Sequence, residues 1–91
     1  MSKQLRIQLD PINHQCFSRS EAREILADTD GFDELVFDFD CIDAVGQAFA
    51  DEIYRVFHNK YPKIEIQEEN MNDAVRFMID RAKNEAKRNQ N

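Results

Sequence analysis

The sequence predicts an α/β domain built on a mostly parallel sheet, and three observations lead there. Apolar and polar residues alternate at Leu5-Arg6-Ile7-Gln8-Leu9 and again at Ile64-Glu65-Ile66-Gln67. A continuous β-prone run, Leu35-Val36-Phe37-Asp38-Phe39, lies between them. Stretches of helical spacing separate the three. Strands joined through helices pair in parallel, because a parallel neighbour needs a long crossover connection. The order β(β)αβαβα gives about four strands and three helices, the sheet mainly parallel with one antiparallel edge.

The elements follow in chain order. Leu5, Ile7 and Leu9 make a half-buried first strand that Asp10-Pro11 ends. Asn13 to Phe17 reads as a short second strand, with Cys16 or Phe17 facing in. Ser18-Arg19-Ser20-Glu21 is a capping-box pattern, in which a serine hydroxyl and a glutamate three residues on satisfy free N–H groups of a starting helix. Ala22, Ile25 and Leu26 give that helix, about Arg19 to Asp28, its apolar face. Asp30-Gly31 turns the chain.

The run Leu35 to Phe39 suits a central strand covered on both faces. Phe49, Ile53, Val56 and Phe57 then recur at helical spacing, widened by Ala50 and Tyr54, so a helix spans about Gly46 to Lys60 with Asp51, Glu52 and Arg55 facing out. Pro62 stops it, and Ile64 and Ile66 mark the last strand. Asn70 or Asn72 caps a final helix whose buried stripe is Val75, Met78, Ile79 and Ala82. One domain over residues 1–83 is expected, with 84–91 a polar, frayed tail.

Composition narrows the function. The 91 residues carry a formal net charge of −6, and the one basic cluster, Arg81 to Arg88, is mixed with Glu85, so no nucleic-acid surface is expected. No apolar run approaches the roughly 20 residues that span a bilayer, and the N-terminus lacks a signal-peptide core, which predicts a cytoplasmic protein with no membrane partner. Cys16 and Cys41 show no metal-ligand spacing and read as reduced thiols. No cofactor is called for.

Candidate chemistry concentrates around the central strand. An apolar strand ending in Asp38-Phe39-Asp40 resembles the way haloacid dehalogenase-like phosphotransferases place a nucleophile and a general acid, and Asp38 and Asp40 would take those roles with Mg²⁺. The chain has little room for the further carboxylates and lysine that this chemistry needs. Asp38 and Asp40 are also explained as strand-end carboxylates that accept loop N–H groups. Three acidic residues, Asp38, Asp40 and Asp43, lie close enough along the chain to consider a divalent cation. His14 and His58 belong to no ligand or nucleophile motif, and Ser18 and Ser20 are explained as caps. Asp51, Glu52 and Arg55 read either as a solvated face with helical ion pairs or as an acidic recognition ridge continuous with the Asp40 to Gly46 loop.

The segment Leu35-Val36-Phe37-Asp38-Phe39 followed by Ile42-Asp43-Ala44-Val45-Gly46 resembles the core of STAS domains, the fold of anti-sigma-factor antagonists. Through Ser18-Arg19-Ser20-Glu21-Ala22 and Gly46-Gln47-Ala48-Phe49-Ala50-Asp51-Glu52-Ile53, the stretch Phe17 to Ala82 is more similar to a STAS-like family of bacterial small proteins and C-terminal modules. That family has no settled activity, and some members are associated with histidine-kinase-type ATPase domains. In STAS switches a loop serine is phosphorylated and the following helix docks on the partner. Ala44 and Val45 stand where those serines would be, so only Asp38, Asp43 and Gly46 carry over.

The resemblance implies a STAS-like fold and a non-catalytic protein-binding module of bacterial signalling or regulation that lacks the phosphorylatable serine. Its expected contact surface is Asp43, Ala44, Val45, Gly46, Gln47, Asp51, Glu52 and Arg55. The expected partner is a histidine-kinase-type ATPase or another regulator. The alternatives are the phosphotransferase on Asp38 and Asp40, and a structural subunit that self-associates as a homodimer.

Overall fold

The structure, a computed structural model, describes residues 3–12 and 16–88. Its centre is the strand the sequence marks most strongly: β2, Glu34–Asp38, pairs in parallel with β1, Gln4–Gln8, on one side and with β3, Glu65–Glu69, on the other. The register aligns Arg6, Val36 and Gln67 across the sheet, and Ile7, Phe37 and Glu68 beside them. Strand order therefore equals chain order. The expected fourth strand and antiparallel edge are not found among the described residues. Asn13, His14 and Gln15 lie outside them, while Cys16 and Phe17 sit in a turn with Cys16 buried and Phe17 exposed.

Three helices cross between and after the strands. Helix α1, Arg19–Leu26, starts at Ser18, whose hydroxyl accepts the Glu21 N–H at 3.1 Å as the capping pattern predicts. Helix α2 covers residues 47–60 and changes its winding: Gln47–Asp51 and His58–Lys60 are α-helical, and Glu52–Phe57 between them is π-helical. The His58 N–H reaches the Ile53 carbonyl five residues back, which marks the wider turn. Helix α3, Asp73–Arg88, is capped by Asn72, whose side-chain oxygen accepts the Val75 N–H at 2.8 Å. It continues past Asn84 to Arg88 with Ala86 buried.

Each crossover moves one strand further in the same direction, so connections of one hand put their helices on the same side of the sheet. Leu35, Phe37 and Phe39 point to that side and join Leu9, Ala22, Leu26, Phe49, Ile53, Phe57, Val75 and Ile79 in one core. Phe37 is fully enclosed. The opposite face carries Gln4, Arg6 and Gln8 on β1, Glu34, Val36 and Asp38 on β2, and Glu65, Gln67 and Glu69 on β3. Among the described residues no helix packs there, and the side chains pair with one another instead. Glu34 accepts from both Gln4 and Gln67, and Arg6 meets Asp38 at 2.9 Å and Glu69 at 2.6 Å. Val36 is nevertheless only 2% exposed, because the long stems of its register partners Arg6 and Gln67 stand on either side of it.

Candidate functional site

Asp38 ends β2 and holds three segments together. One of its carboxylate oxygens accepts the Asp40 N–H and the Asn70 side-chain amide, each at 3.0 Å, and the other accepts from Arg6 at 2.9 Å. Asn70 reaches it from a left-handed backbone, φ 59°, that asparagine tolerates better than most residues. The Asn70 amide, followed by the Asp40 N–H and Arg6, holds the Asp38 carboxyl below its ordinary range. A nucleophilic role on Asp38 would have to break these ties. Asp40 and Asp43 are exposed, and among the described residues no three acidic, histidine or cysteine side chains gather as metal ligands.

The loop that follows is held through its own backbone atoms. The Gly46 N–H donates to the Cys16 carbonyl at 2.7 Å, and Asn72 donates to the Asp43 carbonyl at 2.8 Å, so both flanks of the loop are anchored. A Cβ on Gly46 would stand 2.8 Å from the Phe17 carbonyl oxygen and 2.9 Å from the Phe17 Cα. Glycine is needed there for close approach, its φ of −85° being open to any residue. Val45 turns into the core, while Asp43, Ala44 and Gln47 remain exposed. The Phe17 ring lies beside Gly46 and is 59% exposed.

The outward acidic ridge expected at Asp51, Glu52 and Arg55 is different in the structure. Glu52 is buried and meets Arg19 at 3.4 Å and Arg23 at 3.3 Å from α1. Asp51 is mostly covered, bonded to Arg19 at 2.7 Å and gripped by both Arg55 donors at 2.7 Å. Arg55, followed by Arg19, keeps the Asp51 carboxyl below its usual value. The helical Asp51–Arg55 pair is the one the spacing implies. The rest of the network locks α1 to α2, because α1 packs on a flank of α2 that periodicity within α2 alone assigns to solvent.

Sequence reasoning placed the loop and missed what surrounds it. The sequence reading left open whether Cys16 or Phe17 faces in, and the chain path buries Cys16 and leaves Phe17 outside. Arg6 and Asn70 lie in different elements from Asp38, so no spacing links them. Cys16 is buried, which pushes its thiol up to about 11 and leaves it protonated; Cys41 is exposed. No helix among the described residues is long and apolar enough to cross a membrane.

No curated protein and no solved structure matches the chain. A family model does: the one described as a STAS-like domain of unknown function matches residues 21–76, from the first turn of α1 through the start of α3. That span is more than half of the chain, and it contains β2, the anchored loop and all of α2, so the chain belongs to this STAS-like family.

Proposed function

We propose that this is a non-catalytic protein-binding module of bacterial signalling or regulation, working in the cytoplasm and docking through the end of the molecule where Phe17 meets the Asp43–Gln47 loop. The observation that carries the reading is the exposed Phe17 side chain packed beside Gly46 of the anchored loop, whose other exposed residues include the acidic Asp43. Rigid aromatic anchors dominate binding energy at interfaces, and here the anchor is held in place before any partner arrives. Ala44 and Gln47 complete the contact, Val45 and Gly46 shape it from beneath, and Asp51 and Arg55 border it. Glu52 belongs to the scaffold. The complementary partner offers an apolar pocket with a basic rim, and a histidine-kinase-type ATPase is the candidate to try first.

The test is a calorimetric titration of the protein with a purified histidine-kinase-type ATPase domain. Phe17→Ser and Ala44→Arg should each weaken binding at least about tenfold, as loss of an interface anchor does, with the melting temperature unchanged. Equal binding by wild type and both variants rejects this surface.

A further inference from the structure

A second feature lies at the far end of α2 from the docking loop. A pocket of about 290 Å³ opens between α2, β3 and α3, lined by Tyr54, His58, Ile66, Lys83, Ala86 and Lys87. Ile66 and Ala86 make its apolar part. Tyr54 and His58 are one helical turn apart on α2, and Lys83 and Lys87 are one turn apart on α3, so both helices send a basic group to the same opening.

Glu68, the acidic neighbour on β3, is already engaged. It accepts the Tyr54 hydroxyl at 2.9 Å and the Lys83 ammonium at 3.0 Å. Lys83 also stands 5.3 Å from the centre of the Tyr54 ring, so its position is set by two groups, and an ammonium has further donors to offer. Among the described residues, His58 and Lys87 have no ion-pair partner. Lys83 and Lys87 are like charges at the helical i, i+4 spacing; Glu68 offsets the first, and an anion in the pocket would offset the second. Tyr54 and the turn leading to His58 belong to the π-helical stretch of α2, a rare winding that concentrates at functional sites.

We infer that this pocket is a binding site for a small organic anion, with a carboxylate or phosphate head held by Lys83, Lys87 and His58 and an apolar body resting on Ile66 and Ala86. The volume of about 290 Å³ falls just under the usual range of ligand sites, about 300 to 1,000 Å³, so the body is no larger than one ring or a short acyl chain. Nothing in the docking proposal requires this site, and the two stand or fall separately.

The experiment follows backbone amide shifts of the whole ¹⁵N-labelled protein during titration with benzoate, with phenyl phosphate and with neutral benzyl alcohol. A saturable response to either anion, centred on Tyr54, His58, Ile66, Lys83 and Lys87 and absent with the alcohol, supports the site and identifies the preferred head group. Lys87→Met, at an exposed position, should fold normally and weaken the bound anion roughly tenfold through loss of one charge-assisted contact. His58→Gln should weaken it less and supplies a second, independent variant. The inference is overturned if neither anion saturates, if the alcohol gives the same response, if the shifts fall on other residues, or if Lys87→Met titrates like the wild type.

Discussion

The two faces of the sheet are made by the same strands and solve opposite problems. On the helix-covered face Leu35, Phe37 and Phe39 join a continuous apolar core. On the other face Glu34 is held by Gln4 and Gln67 from the two neighbouring strands, Asp38 by Arg6 on β1 and Asn70 just beyond β3, and Val36 hides beneath long polar stems. Parallel sheets are usually covered on both faces, and β2 taken alone reads that way because four of its five residues are buried. Low exposure on a strand therefore does not identify what covers it. Phe37 is enclosed by packed helices and Val36 by flexible, solvated side chains.

Mutation should separate the two kinds of burial. Phe37→Ala removes a ring from a core that cannot close around the loss, and denaturant unfolding should show a cost of about 3–5 kcal/mol. Val36→Ala, at nearly the same exposure, should cost only about 1 kcal/mol, because the stems of Arg6 and Gln67 can settle into the space. Equal costs at the two positions would erase the distinction between the faces.

Asp38 gives an effect visible in pH. Its folded carboxyl titrates below the unfolded Asp value of about 3.9, so its contribution is complete above that value and is lost as pH falls through the lower folded one. Asp38→Asn should therefore show a shallower loss of stability below about pH 4 than the wild type, with Asp51 still supplying its own share. Superimposable acid-unfolding curves would show that the ties to Asn70, Asp40 and Arg6 contribute nothing to folding. The smallest change belongs to the ladder over the open face: Glu34→Ala should alter stability by less than about 0.5 kcal/mol, since exposed polar pairs exchange readily with water.

Element type was legible in the sequence wherever one short segment carried its own signal. The alternation around Ile7 and Ile66, the serine cap at Ser18 and the asparagine cap at Asn72 all act within a turn or a strand, and each is found in place. What escaped was set by neighbours distant in the chain. Glu52 is covered by Arg19 and Arg23 of another helix, and Phe17 is left outside by the approach of Gly46. The π-helical turn was equally hidden, since Phe49, Ile53, Val56 and Phe57 suit an unbroken α-helix. Its effect is local but decisive for the pocket, because both Tyr54 and His58 take their positions from it.

The identity of strand order and chain order also bears on how the molecule comes into being. Each strand pairs with the next one synthesised, so β1 and β2 can close around α1 before β3 has left the ribosome, and β3 then adds to an existing edge. No strand has to be inserted between two others already paired. Each pairing spans a single strand–helix–strand unit, from Gln4–Glu34 to Asp38–Glu69, so no pairing has to bridge two such units at once. Helix α3 follows β3 and lays Val75, Ile79 and Ala82 onto the core, so the apolar face of the sheet is sealed only after its strands are in place.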